Sequence, residues 1–174
     1  MSDQYRVHLG VTPAIKKPNY YLWVLSRDTV ASLLINNVSL RGGWKLATSN
    51  TREASIGRFH PTARARTATP APIREFLRVV DDRKCRGRVL YHGVGRDDAG
   101  TYAMSREGRD EVHAYDPYHP IPTYCVMPGW SYDEVFSIYT LNVVTPKVGI
   151  DILGEIYDSL KPSGKAVIAV RRDL

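Results

Sequence analysis

The sequence predicts an α/β protein built on a parallel, helix-covered sheet. Two observations support this fold class: strand-like and helix-like segments alternate from residue 87 to residue 171, and a glycine turn links the first of these strands to a helix. The chain has 174 residues, of which 43% are hydrophobic and 24% are charged. This length suits one domain with a substantial core, and this composition excludes a disordered or fibrous protein.

The first elements precede this alternation. Residues 20–25 have the apolar and aromatic composition of a strand, and Asp28 is placed to cap a helix over residues 29–36. Poor periodicity over residues 41–66 predicts a loop with short strands. A second helix is expected over residues 70–82, because apolar residues recur there at helical spacing: Ile73, Phe76, Leu77 and Val80.

The distal half supplies the remaining elements in alternation. Strands are predicted at residues 87–92, 111–116, 132–144 and 164–171, and helices at residues 98–106 and 150–160. The short stretch between Pro120 and Asp133 leaves room for only a short further strand, at residues 123–127. Together these elements give the βαβ pattern of a sheet whose strands run parallel.

Several functional classes find no support in the sequence. No apolar run approaches the roughly 20 residues that span a bilayer, and the polar start MSDQYRVHLG lacks the charged and then apolar build of a signal peptide. A cytoplasmic protein is therefore expected. Cys85 and Cys125 are isolated from each other and from histidines at metal-ligand spacing, so we expect reduced thiols and no metal site.

The excess of positive charge lies entirely in the first half of the chain. Residues 1–87 carry 15 basic and 6 acidic side chains, whereas residues 88–174 carry 9 basic and 12 acidic ones. The net charges are therefore +9 and −3, which together give the formal charge of +6. A basic surface beside a neutral or acidic core suggests a polyanionic partner, although a solvated basic face would give the same count.

The sharpest motif is a strand that enters a glycine turn and then a helix, over residues 89–100. Gly93 and Gly95 let the backbone turn tightly and come close to a ligand, and the N–H groups of the following helix favour acceptor atoms. Asp116, 21 residues after Gly95, ends the next strand, where a carboxylate can accept hydrogen bonds from two ribose hydroxyls. This order predicts a cofactor that contains adenosine. Alternatively, the glycines form an ordinary turn and Asp116 caps the following loop.

Two distal segments and the turn between them carry a family resemblance. Residues 133–144 and 165–170, with the turn Leu160-Lys-Pro-Ser-Gly164, are similar to the fourth and fifth strands of the class I S-adenosylmethionine-dependent methyltransferases, in which a Leu-Lys-Pro-Gly-Gly turn recurs. Small methyltransferase-like proteins of phages and of systems linked to DNA phosphorothioation are also similar, at residues 62–66, 139–143 and 170–173. The resemblance covers residues 62–174.

This resemblance implies a minimal Rossmann-like sheet that ends after the fifth strand, with a basic N-terminal extension at residues 1–69 and a cofactor-binding core at residues 70–174. No sixth or seventh strand would follow, so the N-terminal strand or a second subunit is expected to cover the open edge of the sheet. Tyr91 stands where the family has an acid two residues before the first glycine, and Asp97 or Asp98 would have to compensate for it.

The cofactor roles of the family carry over to residues at the strand ends. The glycine turn would line the methionine part of S-adenosylmethionine, Asp116 would hold the ribose, and Pro117 and Tyr118 would lie near adenine. Leu141 and Asn142 would end the fourth strand beneath the sulfonium. The implied cofactor-binding residues are His92, Gly93, Val94, Gly95, Asp98, Asp116, Pro117, Tyr118 and Leu141.

The methyl acceptor is expected to be a nucleic acid, either DNA or RNA. Asn142 offers a donor and an acceptor to a base edge, so Asn142 and the nearby Tyr139 are the candidate catalytic residues. The candidate substrate-binding residues combine positive charge with an aromatic ring: Trp44, Arg64, Arg66 and Arg171. The phage resemblance implies an enzyme that acts in the host cytoplasm.

Other interpretations stay open. Asn142 suits a structural role, through hydrogen bonds with the next loop, at least as well as a catalytic one, and His119 suits a structural role better than acceptor binding. The chain could instead be a non-catalytic module that binds nucleic acid or protein and has a degraded cofactor site, which Tyr91 in place of an acid favours. A third interpretation is a small-molecule methyltransferase whose N-terminal segment is only a lid.

Overall fold

Six strands form one sheet with helices on both of its faces, so the structure confirms the α/β class. The structure is a computed structural model that describes residues 11–35, 63, 65–80, 87–106, 111–125, 127, 129, 131–144 and 146–171. The strands are β1 (Ile15–Lys16), β2 (Tyr20–Ser26), β3 (Arg88–His92), β4 (Glu111–Tyr115), β5 (Tyr132–Ile138) and β6 (Leu160–Arg171). The helices are α1 (Arg27–Ile35), α2 (Ala71–Glu75), α3 (Asp98–Arg106), α4 (Pro122–Cys125) and α5 (Pro146–Ser159).

The strand order across the sheet is β1-β2-β6-β5-β3-β4. The last four strands in this order, β6, β5, β3 and β4, run parallel to one another. β2, by contrast, pairs antiparallel with β6 along its whole length, from Tyr20 opposite Arg171 to Ser26 opposite Lys165. The prediction of a wholly parallel sheet is therefore wrong for β1 and β2. These strands form an antiparallel hairpin that needs no crossover helix, and its longer strand aligns with the outer edge of β6.

β2 covers the edge of the sheet that would otherwise be open beside β6. Of the two arrangements expected for this edge, the structure therefore has the one in which an N-terminal strand covers it. A second subunit is not needed for that purpose at this edge. Residues 15–35 of the predicted N-terminal extension consequently belong to the same sheet and core as the distal half. Residues 36–62 lie outside the described residues, and they include most of the basic segment, residues 41–66.

Alternating side chains of the strands fill two apolar cores, one on each face of the sheet. The core residues on the face of α1 and α5 include Trp23, Val30, Leu90, Ile156 and Ile168. Those on the face of α2 and α3 include Ile73, Tyr91, Met104, Phe136 and Val167. Phe76 and Phe136 meet edge-on with their ring centroids 5.2 Å apart. Because both faces are filled, the strand register is fixed and the strand ends have defined positions.

Most predicted elements agree with the structure to within a few residues over the described part of the chain. The confirmed strands are those predicted at residues 20–25, 87–92, 111–116 and 164–171. The confirmed helices are those predicted at residues 29–36, 70–82 and 98–106. The helix α2 continues as a π-helical turn, Phe76–Val80.

Two predictions about strands are wrong. β5 ends at Ile138 instead of residue 144, because Tyr139 takes a left-handed backbone conformation and a 3-10 turn, Thr140–Asn142, follows it. The short strand predicted at residues 123–127 is replaced by the helix α4. Pro122 begins that helix, which is consistent with the fixed φ and the missing N–H of proline at a first helical position.

The starts of two helices also differ from the prediction. Ser26, and not Asp28, caps α1, since its Oγ accepts a hydrogen bond from the N–H of Thr29 at 3.2 Å. Asp28 lies in the first helical turn, where its charge still suits the helix dipole. α5 begins at Pro146, before the predicted start at residue 150.

Neither a membrane span nor a metal centre is found among the residues that the structure describes. None of their helices has the length and apolar character that crossing a membrane requires. No three His, Cys, Asp or Glu side chains in these ranges form a group that could hold a metal ion. Cys125 ends α4, and Cys85 lies outside the described residues.

Candidate functional site at the carboxyl ends of the strands

The carboxyl ends of the four parallel strands meet at one edge of the sheet, which we call the carboxyl edge. β3 ends at His92, β4 at Tyr115, β5 at Ile138 and β6 at Arg171. Open α/β sheets bind their ligands outside this edge. The turns that leave these strands contain most of the predicted site residues, so the topology alone brings distant parts of the sequence together.

The glycine turn after β3 has a backbone that only glycine adopts easily. Gly93 and Gly95 have φ angles of 71° and 55°, in the left-handed region. The N–H groups of Gly93 and Val94 both donate to the carbonyl of Tyr115, at 2.7 and 3.2 Å. A Cβ atom on Gly93 would overlap the side chain of Thr140. The turn is therefore tied to the end of β4 and packed against the loop after β5.

Asp116 follows β4 and links the glycine turn to the next loop. Its Oδ2 accepts a hydrogen bond from the N–H of Gly95 at 2.9 Å, and its Oδ1 accepts one from the N–H of Tyr118 at 2.9 Å. The residue is only 8% exposed. The carboxylate thus lies against the glycine turn, as the cofactor interpretation requires, and it also caps the following loop, as the alternative requires.

The loop after Asp116 holds the two predicted adenine contacts. Pro117 is exposed and Tyr118 is half-buried. The next residue, His119, is buried, and its Nδ1 accepts a hydrogen bond from the N–H of Ile121 at 3.1 Å. Its ring also meets the Tyr124 ring of α4 edge-on with the centroids 4.7 Å apart, and these two contacts support the structural interpretation of this histidine.

Tyr91 and Asp97 form a buried pair below the glycine turn. The Tyr91 hydroxyl donates to Asp97 Oδ2 at 2.6 Å, and Asp97 Oδ1 accepts a hydrogen bond from the N–H of Gly100 at 3.0 Å. Burial raises the pKa of the Asp97 carboxyl, although both hydrogen bonds act in the opposite direction. Asp98 is exposed in the first turn of α3. Of the two acids considered as compensation for Tyr91, Asp97 is the one that contacts it.

Replacing Tyr91 by phenylalanine leaves Asp97 Oδ2 buried without its hydroxyl donor. We expect the free energy of unfolding in urea to fall by about 1–3 kcal/mol at neutral pH. A carboxyl whose folded-state pKa is raised destabilises the fold increasingly as pH rises through that pKa. The variant lacks a hydrogen bond that lowers the pKa of Asp97, so its loss of stability should be greater at pH 7 than at pH 4.

The matched control for this variant is Tyr157→Phe. The Tyr157 ring lies 4.0 Å from the Arg27 guanidinium carbon, and its hydroxyl makes no hydrogen bond to the described residues. We expect this substitution to leave stability unchanged at both pH values. If Tyr91→Phe were equally neutral, the buried hydrogen bond to Asp97 would contribute nothing and this part of the account would be wrong.

His92 ends β3 and is held by a carboxylate that the sequence analysis missed. Its Nε2 lies 2.7 Å from Glu155 Oε2 on α5, and its ring meets the Tyr115 ring edge-on with the centroids 5.1 Å apart. Its Nδ1 is buried and has no hydrogen-bond partner among the residues that the structure describes. No local spacing connects Glu155 with His92, since the contact depends on how α5 packs across the sheet. His92 is therefore oriented by Glu155 and has one ring nitrogen left for a further partner.

Three predicted site residues meet just beyond the end of β5. The guanidinium carbon of Arg66 lies 5.4 Å from the centroid of the Tyr139 ring, and that of Arg171 lies 4.9 Å from it. Both distances are in the range of cation–π contacts. Tyr139 has a φ of 64°, and no other non-glycine residue in the described ranges has a positive φ. We call Arg66, Tyr139 and Arg171 the Arg–Tyr cluster.

Asn142 and Leu141 make contacts that hold the loop after β5. Asn142 Oδ1 accepts a hydrogen bond from the N–H of Arg171 at 2.9 Å, and its Nδ2 donates to the Arg171 carbonyl at 3.3 Å. Leu141 is 1% exposed and belongs to the core on the face of α1 and α5. The side-chain amide of Asn142 thus has a structural role, but it fixes the end of β6 and not the next loop, which was the partner considered for it.

The segment before α2 lies beside the glycine turn. A Cβ atom on Gly95 would lie 3.3 Å from the Cβ of Ala63. Arg66, three residues later, reaches Tyr139. The other two predicted substrate-binding residues, Trp44 and Arg64, lie outside the described residues. The C-terminal end of the basic segment therefore lies at the carboxyl edge.

Comparisons with known proteins add no relative to this description. No family model, curated protein or solved structure matches the chain. The fold and the site define an α/β protein with a mixed six-stranded sheet and a candidate ligand site at its carboxyl edge. Any more specific function has to be inferred from the residues of that edge.

Proposed function

We propose that the chain is an S-adenosylmethionine-dependent methyltransferase that acts on nucleic acid. The observation that carries the proposal is the glycine turn held against Asp116, with the N–H of Gly95 2.9 Å from Asp116 Oδ2. This arrangement places two glycines, whose backbone a ligand can approach closely, beside a carboxylate at the end of the adjacent parallel strand. Such a combination suits a ligand that carries a ribose.

The residues of the carboxyl edge fit the parts of S-adenosylmethionine by their chemistry. Each oxygen of Asp116 uses one lone pair on a backbone N–H and can accept a further hydrogen bond from a ribose hydroxyl. Tyr118 offers a half-buried ring on which adenine can stack. Bound S-adenosylmethionine supplies an electrophilic methyl group.

The chain itself contributes positioning and the exclusion of water, which are the main requirements of methyl transfer. Asp97, held by Tyr91 and Gly100, supplies the carboxylate that the resembling family carries two residues before the first glycine. Asn142 keeps the end of β6 in place, and Tyr139 directly follows β5, with its ring beside Arg66 and Arg171. In this proposal Tyr139 therefore contacts the acceptor, and Asn142 is a positioning residue.

The charge of the chain favours a nucleic acid as the acceptor. Residues 1–87 have a net charge of +9, and the part of this segment that the structure describes reaches the carboxyl edge through Arg66. A polyanion is the natural partner of such a charge excess beside a cofactor site. A small-molecule acceptor would need no such surface.

A methyl-transfer assay tests this function. The chain is incubated with S-adenosylmethionine labelled with tritium in the methyl group and with pools of DNA and of RNA over a range of salt concentrations. We expect label in one of the two pools, with an initial rate that falls as salt rises. Label in neither pool would contradict the proposed acceptor class, and transfer that ignores salt would contradict a surface that neutralises phosphates.

A non-catalytic nucleic-acid-binding module is the second candidate. Two observations favour it: Tyr91 replaces an acid, and Ala63 lies close to the glycine turn, 3.3 Å from the position of a Cβ on Gly95. Such a module would bind nucleic acid but neither S-adenosylmethionine nor S-adenosylhomocysteine. Binding measurements with the two kinds of ligand therefore separate the candidates.

A further inference from the structure

We propose that the Arg–Tyr cluster is the site that binds a backbone phosphate of a single-stranded nucleic acid. This inference rests on the proposed function, since it identifies where the acceptor is held. Arg66 and Arg171 are far apart in the sequence, and both guanidinium groups lie over the same ring, that of Tyr139. Arg171 ends β6, so the cluster stands at the carboxyl edge, beside the glycine turn.

The cluster has two positive charges and makes no ion pair with the acidic residues that the structure describes. In the described ranges, no carboxylate lies within ion-pair distance of Arg66 or Arg171. Asp97 interacts with Arg66 only at longer range: burial raises the pKa of this carboxyl, and the guanidinium charge acts in the opposite direction with a smaller effect. Both guanidinium groups carry a positive charge next to the same ring, so an anion beside the cluster is attracted by both charges. A phosphate oxygen pair matches the fork of N–H donors that each guanidinium presents.

The backbone that supports the cluster is fixed before any ligand binds. Asn142 holds both the N–H and the carbonyl of Arg171, at 2.9 and 3.3 Å. The N–H of Tyr139 donates to the carbonyl of Ala169 at 2.8 Å, although Tyr139 has the unfavourable φ of 64°. A bulky residue in this conformation is strained, and such strain concentrates at ligand sites. The two charges are thus presented from a prearranged backbone.

The sequence next to Arg66 argues for a polymeric phosphate ligand. Residues 41–66 contain six basic side chains and a single acidic one, together with aromatic residues. A polymer of phosphates offers further charges to pair with these basic side chains, whereas a small phosphate compound would use the cluster alone.

Fluorescence anisotropy with labelled oligothymidylate, without S-adenosylmethionine, tests the site. We expect Arg66→Met and Arg171→Met each to weaken binding by about three- to tenfold and to reduce the slope of log K against log salt by about one. Arg171→Lys keeps the charge but loses the planar donors, so it should weaken binding while the slope stays near that of the unchanged chain. This variant keeps the test decisive if Arg171→Met does not fold.

The matched control is Arg78→Met, which removes the same charge from the helical segment after α2, where Arg78 pairs with Glu75 at 2.8 Å. We expect this control to bind as the unchanged chain does. Equal weakening by Arg78→Met would show general charge attraction and overturn the site, as would unchanged binding by both cluster variants. Thymidine monophosphate competing as well as oligothymidylate would show a small-phosphate site instead. Because no cofactor is present, these outcomes are independent of S-adenosylmethionine binding.

Discussion

Replacing Gly93 by alanine is expected to lower the thermal midpoint of unfolding by roughly 6–12 °C, which corresponds to about 3 kcal/mol for a chain of this size. Gly93 has a φ of 71°, and a residue with a Cβ in that conformation costs roughly 1–2 kcal/mol. The added Cβ also overlaps the Thr140 side chain, and such overpacking costs roughly 1–3 kcal/mol. Calorimetry or circular dichroism measures the midpoint.

Two further variants identify the cause of this loss. Gly154→Ala adds a Cβ in α5 that meets nothing within 4 Å, so it should raise stability by up to about 1 kcal/mol. The double variant Gly93→Ala with Thr140→Ala removes the overlap but keeps the backbone strain, and it should recover part of the midpoint. If Gly93→Ala were as stable as the unchanged chain, the glycine turn would not be built as described.

Replacing Asp116 by asparagine is expected to weaken S-adenosylmethionine binding by roughly 10- to 100-fold. A hydrogen bond to a charged group contributes roughly 1.5–3 kcal/mol, and each 1.4 kcal/mol is a tenfold change in Kd. Asparagine removes the charge, and its amide group cannot accept hydrogen bonds from both Gly95 and Tyr118. Isothermal titration calorimetry measures the change, at a temperature well below the midpoint of the variant.

Asp158→Asn is the control for this substitution. Asp158 is exposed in the last turn of α5, just before the amino end of β6, so its replacement removes the same charge away from the carboxyl edge. We expect this control variant to bind S-adenosylmethionine with the same Kd as the unchanged chain. A Kd for Asp116→Asn within twofold of that of the unchanged chain would remove Asp116 from the proposed cofactor site.

The sequence predicted those parts of the fold that depend on local pattern. The order of strand, turn, helix and strand predicted that the glycine turn and Asp116 lie side by side. The structure has them there, because adjacent parallel strands end at the same edge of the sheet. The boundary of β5 was wrong, since the left-handed conformation of Tyr139 depends on packing among the neighbouring loops. The cap of α1 was wrong as well, because Ser26 and Asp28 are both good caps and only the path of β2 decides between them.

The contacts that could not be predicted join residues far apart in the sequence. β2 aligns with β6 antiparallel, which no local periodicity indicates. Glu155 reaches His92 only because α5 crosses the sheet above the end of β3. The meeting of Arg66 and Arg171 at one ring likewise depends on the tertiary fold, although both residues were predicted to bind substrate from their charge and position.

Calorimetric titration of the unchanged chain with S-adenosylmethionine and with S-adenosylhomocysteine tests the central claim most directly. Both ligands carry the adenosine and methionine groups that the carboxyl edge is proposed to hold, so we expect saturable binding of one molecule per chain. A ligand that binds only the folded state also raises the thermal midpoint, which provides a second readout. Absence of heat and of any midpoint shift with both ligands at millimolar concentration would contradict the proposed methyltransferase function.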